Sequence, residues 1–166
     1  MKILWVDFVL PYLLKDANYP VGGWAVELRS WLIGAERTGN PVAVLTFTGA
    51  NEFVGRDYSF DLVETYDPQK GIKYLKYLTT YIPSMQRAVY QTKPDVFIQA
   101  CACALTGMAA YVAQRAGIPF VYRVVNDMDI DERYKSRLKI SEQLMYRYGL
   151  DKSALILGQN QYQYDA

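Results

Sequence analysis

Short apolar runs alternate with longer stretches of helical spacing along the whole chain, and this alternation limits the fold more than any single motif does. Lys2-Ile3-Leu4-Trp5-Val6, Val42 to Phe47, Val96-Phe97-Ile98, Phe120 to Val125 and Leu155-Ile156-Leu157 are largely apolar and of strand length. Strands of that composition are covered on both faces, as in a parallel sheet. Each connecting segment is long enough to be a crossover. The expected class is therefore α/β: an open, doubly wound, Rossmann-like and mostly parallel sheet with helices on both faces. The 166 residues are enough for one well-buried domain, expected over 1–166, and too few for two comfortable ones.

The stretch from Lys2 to Gly39 carries the first local signal. A buried strand ends at Asp7, and a loop follows from Phe8 to Val21, where Pro11 and Pro20 oppose regular structure. Gly22-Gly23 then precedes a helix in which Ala25, Leu28, Leu32 and Ala35 recur at helical spacing, flanked by Trp24 and Trp31. Gly39 suits the left-handed residue past its end. A glycine pair at a helix N-terminus lets backbone approach a ligand, and free N–H groups with the helix dipole favour a phosphate. The alternative is a tight turn that needs positive φ. Neither G-x-G-x-x-G nor G-x-x-x-x-G-K-[ST] is present.

Composition removes several chemistries. The chain has no histidine, so His-based triads, His general bases and His-containing zinc sites are excluded. Cys101 and Cys103 are too close in sequence for an unstrained bridge and read as buried free thiols. A net charge of +1 argues against a duplex nucleic-acid partner. The Ile3–Val6 run is too short for a signal peptide, and no stretch has the apolar length of a membrane span. A cytoplasmic location is expected.

Along the remainder, Thr48 to Asp57 reads as loop and Tyr58 to Thr65 as a weaker edge strand. Ile72, Leu75, Leu78, Ile82, Met85 and Val89 form a core-facing stripe in a helix that Pro83 should kink or divide. Ala100 to Ala116 reads as a tightly packed helix ended by Gly117, and Glu132 to Tyr148 as a basic helix stopped by Gly149. In such a sheet, ligands bind at the carboxyl ends of the strands. Asp7, Gly22-Gly23, Gln99-Ala100 and Asn126-Asp127 fall at such ends.

Asp127, Asp129, Asp131 and Glu132 do not make an EF-hand, whose sixth and twelfth positions would be Glu132 and Leu138. Asp127-Met128-Asp129 formally satisfies a D-x-D metal pair, but acids before a helix also suit its dipole. Arg133, Lys135, Arg137, Lys139 and Arg147 read as a solvated face. Contact with anionic lipid headgroups at the inner face of a membrane, helped by Tyr146 and Tyr148 and by Lys73, Lys76, Tyr74, Tyr77 and Tyr81, is the alternative.

Met1-Lys2-Ile3-Leu4, Pro20-Val21-Gly22-Gly23, Lys93-Pro94-Asp95-Val96, Ala116-Gly117-Ile118-Pro119-Phe120-Val121, Asn126-Asp127, Glu142 with Tyr148-Gly149-Leu150, and Gln159 to Gln163 occur in a telling order. Together they resemble the N-terminal domain of a GT-B glycosyltransferase of the family-4 type. The resemblance implies retaining transfer of a sugar from a nucleotide-sugar, usually without a metal and with no further cofactor. It implies that Gly22 and Gly23 approach the donor diphosphate. It also implies that this half holds the acceptor, a glycan, lipid or small molecule, with Asp7, Tyr19, Trp24, Asn126 and Asp127 lining that side. Most donor contacts in that family belong to a C-terminal domain not contained in these residues. Where the family often has a histidine, this chain has Asn126, which can hydrogen-bond a hydroxyl but cannot act as a base. The acid often found just after the glycines is displaced to Glu27. A free-standing α/β module that binds a small ligand or regulates, without catalysis, is the other reading.

Overall fold

The computed structural model describes residues 1–55, 58–71 and 75–165. It forms two compact units, Met1–Asp95 and Val96–Ala166. In both, the strands are parallel and joined through helices. The expected α/β, Rossmann-like class is the one found.

In the first unit, β1 (Ile3–Val6), β2 (Val42–Thr46) and β3 (Asp61–Glu64) lie side by side, with Leu4 opposite Ala43 and Ala43 opposite Asp61. Every residue of β2 is buried, as a central strand requires, whereas Asp61 and Glu64 at the ends of β3 are exposed. Helix α2 (Gly23–Arg37) buries Trp24, Ala25, Leu28 and Leu32. Its exit matches expectation: Gly39 sits at φ +72°, where an L side chain would be strained.

Two segments read as loop contain helix. Leu10–Lys15 forms α1, with Pro11 in its first turn rather than preventing it. A first-turn residue does not use its N–H within the helix, so proline fits there. Ala50–Val54 forms α3 between the left-handed Gly49 and Gly55. The Glu64 carboxylate accepts from the N–H groups of Gly49 and Asn51 at 2.8 and 2.9 Å, holding that turn against β3. Asp57 lies outside the described residues.

Pro83 divides its helix as expected, and the structure shows how. A π-helical turn spans Tyr77–Tyr81, and α4 (Ile82–Thr92) follows with Pro83 in its first turn. Pro83 has no N–H to give the carbonyl four residues earlier, and the Ile82 N–H bonds instead to the Tyr77 carbonyl, five residues back. The wider turn changes the helical phase. Ile82, Met85 and Val89 are buried, while Leu75 and Leu78, assigned to the same stripe, are 49% and 68% exposed. Ile72 lies outside the described residues.

The second unit pairs β4 (Val96–Ala100), β5 (Phe120–Arg123) and β6 (Leu155–Leu157), Ile98 opposite Val121 and Val121 opposite Leu155. Helix α5 (Ala104–Ala116) starts later than expected because Cys101, at φ +72°, turns the chain first. It ends at Gly117 in the left-handed conformation. A short helix, α6 (Asp127–Ile130), precedes the basic stretch, which is not one helix but two: α7 (Tyr134–Arg137) and α8 (Ile140–Asp151). Gly149 therefore does not stop the helix. It lies inside α8, where a Cβ would come within 2.8 Å of the Thr106 backbone, and a Cβ on Gly107 would come within 2.3 Å of the Met145 carbonyl oxygen. The two glycines are what lets α5 and α8 touch backbone to backbone.

Candidate functional site

In the first unit the site grows out of the end of β1. Asp7 is buried, and its Oδ1 accepts hydrogen bonds from the N–H groups of Val9 (2.7 Å) and Leu10 (2.5 Å) at the start of α1. Its Oδ2 accepts from the indole Nε1–H of Trp24 at 2.9 Å. One carboxylate thus ties together a strand end and the starts of two helices. Burial pushes the Asp7 carboxyl above its ordinary range, opposed by the three hydrogen bonds that favour the anion. Trp24 also packs against Trp5 at 5.6 Å between ring centres, and Trp5 meets Trp31 edge-on at 5.4 Å.

This linkage gives a pH-dependent prediction. Because the folded-state pKa of Asp7 is raised, the folded protein takes up this proton more readily than the unfolded chain does. The group's contribution to stability therefore grows as pH falls through the folded pKa and is lost as pH rises through it. Trp24→Phe removes a donor from the ionised carboxylate and is expected to cost about 2 kcal/mol at pH 7.5. The cost should shrink as pH falls through the folded pKa of Asp7 and the carboxyl takes up its proton. Urea midpoints of both proteins, followed from pH 7.5 downward, check this.

The glycine pair sits where α2 begins. Gly22 has φ −64° and ψ 155°, and neither Gly22 nor Gly23 is among the residues of positive φ. An ideal Cβ on either would meet nothing within 4 Å. The turn reading is thereby set aside, since any residue could adopt these conformations without a clash. No side chain caps α2 among the described residues, and no acid stands in its first turn. The Ala25 N–H is turned back onto the Gly22 carbonyl at 3.1 Å, but geometry leaves the Gly23 and Trp24 N–H groups without a partner in the helix. Open space, uncapped donors and a 15-residue helix dipole coincide at this point. Tyr19 lies on the intervening loop, 43% exposed, its ring stacked on Tyr12 at 5.1 Å. Tyr12 in turn meets Phe53 and Phe47 at 5.1 and 5.6 Å.

In the second unit, Asn126 and Asp127 follow β5. The Asn126 N–H donates to Asp129 Oδ2 at 3.3 Å, and Asp127 Oδ1 accepts from Gln163 Nε2 at 2.9 Å. Asp129 is buried and pairs with Arg137 at 3.6 Å. The two carboxylates of the D-x-D pair are thus committed to different partners. No group of three or more potential metal ligands forms among the described residues.

The lipid-facing alternative for the basic stretch meets two obstacles. Tyr146 is fully buried, its hydroxyl donating to the Asp129 carbonyl at 2.5 Å and lying 3.2 Å from that of Tyr122. Three of the five cations are paired locally: Arg133 with Asp131 at 2.5 Å, Lys135 with Glu132, and Arg137 with Asp129. Arg133 holds the Asp131 carboxyl down to about 2. No described helix is long and apolar enough to cross a membrane. Lys73 and Tyr74 lie outside the described residues.

Gln99 is buried at the end of β4, donating to the carbonyls of Ala100 and Cys101, the latter at 2.9 Å. A glutamine inside an apolar strand is a signal that sequence can give. The Tyr122–Tyr146 pair gives none, since tyrosines are abundant throughout the chain. Cys101 and Cys103 form no disulfide and are half-buried rather than buried, and desolvation pushes the Cys103 thiol up, away from the reactive thiolate.

No protein-family model matches this sequence, and no curated protein is detectably similar to it. Solved structures are similar in fold. The UDP-GlcNAc 2-epimerase of Methanocaldococcus jannaschii superposes with a TM-score of 0.68 at 11% identity, over 99% of this chain and 41% of the other. The Neisseria meningitidis UDP-GlcNAc 2-epimerase bound to UDP-GlcNAc gives 0.62 at 15%, over 99% and 42%. Acinetobacter baumannii MurG gives 0.53 at 17%, over 100% and 48%. The chain spans less than half the length of each of these structures. Its fold is that of a GT-B-type domain.

Proposed function

We propose that this chain is the acceptor-side half of a retaining glycosyltransferase of the family-4 type that uses a nucleotide-sugar donor. One observation carries the reading: Gly22 and Gly23 need not be glycine for their own conformation, yet they stand at an uncapped helix N-terminus with open space before them. A diphosphate drawn against them would receive the Gly23 and Trp24 N–H groups and the positive end of the α2 dipole as negative charge builds on the leaving group. Asp7 holds the Trp24 indole in place by accepting its N–H, and Tyr19, exposed on the loop before α2, offers ring surface to an acceptor. The fold similarity to enzymes whose structures hold UDP-GlcNAc or UDP supports a nucleotide-sugar ligand.

The test is turnover of nucleotide-sugars by the native-length protein. Nucleoside diphosphate should be released in step with a glycoside of unchanged anomeric configuration, and chelator should leave the rate unaltered. Inversion at the anomeric centre would reject the retaining mechanism. A second reading, an epimerase acting on a nucleotide-sugar, is favoured by the higher TM-scores of the two epimerases. It predicts an epimerised nucleotide-sugar and no glycoside.

A further inference from the structure

A cavity of about 370 Å³ lies in the first unit beyond the carboxyl ends of β2 and β3. Thr48 and Thr65 line it from the strand ends, Lys70 from the following turn, Thr79 from the π-helical turn, and Ser84 and Arg87 from α4. Its walls are tied in place. The Tyr81 hydroxyl donates to the Pro68 carbonyl at 2.7 Å, Tyr66 stacks on Tyr81 at 3.7 Å, and the Thr48 N–H bonds to the Tyr66 carbonyl at 3.2 Å. Gly71, at φ +116°, lets the turn pass within 2.8 Å, measured from an ideal Cβ, of the Lys76 Cβ.

Four of the lining hydroxyl groups are polarised in one sense, while that of Thr80 lies 3.5 Å from the Thr79 hydroxyl. Ser84 gives its proton to the carbonyls of Thr80 and Tyr81 (2.8 and 2.9 Å), and Thr79 to that of Leu75 (3.0 Å). Thr65 donates to Thr46 (2.7 Å) and Thr48 to Thr65 (3.4 Å). With their protons committed to backbone, these oxygens offer lone pairs to the cavity and call for a ligand rich in O–H donors. Lys70 and Arg87 call for the opposite, an anionic acceptor, and only one carboxylate stands with them among the described lining residues, Asp67, 3.5 Å from the Lys70 Nζ. A polyhydroxylated ligand with one negative group meets both demands. The Pro83-driven π turn is the element that brings Thr79 and Thr80 to this wall, and such turns recur at functional sites.

We propose that this cavity is a binding site for an anionic carbohydrate, a sugar bearing a carboxylate or a phosphate. The site stands on residues separate from Gly22 and Gly23 and does not depend on their role. The test is a titration of the isotope-labelled protein with glucuronate, glucose 1-phosphate, glucose and inorganic phosphate, followed by backbone amide shifts. Saturable shifts at Thr79, Thr80 and Ser84 are expected, with at least one charged sugar bound tenfold or more tightly than glucose or inorganic phosphate. Preference for glucuronate assigns a sugar acid, and preference for glucose 1-phosphate a phosphorylated sugar. Arg87→Ala, on an exposed helix face, should bring the charged sugars to within about twofold of glucose while leaving the thermal midpoint unchanged. The proposal is overturned by inorganic phosphate binding as tightly as the charged sugars, by shifts absent from these residues, or by an Arg87→Ala protein that keeps the preference.

Discussion

Gly107→Ala should destabilise the protein by about 3 kcal/mol, although in an ordinary helix interior the same change gains close to 1 kcal/mol. The reversal of sign is the point. The added methyl would stand 2.3 Å from the Met145 carbonyl oxygen, a backbone atom that cannot rotate away, so α5 and α8 must move apart. Separation would uncover the closely packed alanine face of α5 and disturb the buried Tyr146. Gly149→Ala should act similarly through Thr106, and the double variant should cost less than the sum, because one displacement relieves both clashes. Gly34→Ala is the control. It lies in α2, where a Cβ meets nothing, and should raise stability by about 0.5–1 kcal/mol. Urea unfolding of the four variants, followed by tryptophan fluorescence, measures all of this.

Gly23→Val should abolish turnover of a nucleotide-sugar by the native-length protein, by about 100-fold or more, with the fold intact. A single oxyanion-hole donor is worth about that much in other enzymes, and a branched side chain here blocks approach to two N–H groups at once. Stability should fall by less than about 1 kcal/mol, the helix-propensity difference alone, because the new side chain enters open space. Unchanged turnover would remove the diphosphate from this position. Lost turnover with lost folding would contradict the open space seen at the site.

Much of this architecture is legible in residues whose reason is local. The apolar runs at Ile3–Val6, Val42–Thr46 and Leu155–Leu157 became strands because a stretch of that composition has few other low-energy fates. Gly39 and Gly117 ended their helices because only glycine takes that conformation cheaply. What escaped was decided at a distance. Pro11 permits α1 because a carboxylate at Asp7 serves the first-turn N–H groups. Gly149 is a packing glycine rather than a stop because Thr106, 43 positions earlier, lies against it. Leu75 and Leu78 left the core stripe because a proline downstream widened the turn that carries Leu78 and shifted the helical phase.

The site divides in the same way. The glycine pair was visible as a pattern, but whether it served a turn or a ligand depended on φ, which sequence does not print. Asp7 and Trp24 each suit an acceptor pocket by residue type, but their direct hydrogen bond, spanning 17 positions, is not legible in either alone. The cavity beyond β2 and β3 was invisible beforehand, because Thr48, Thr65, Thr79 and Ser84 become a coherent set only when their protons are traced to carbonyls.

The most direct test is a titration of the isotope-labelled native-length protein with UDP-GlcNAc and UDP, observed at the backbone amides. Saturable shifts are expected at Gly22, Gly23 and Trp24 and at the Trp24 indole, from either nucleotide, with all four lost in Gly23→Val. Saturable binding that leaves those four resonances unmoved would contradict the proposed diphosphate position.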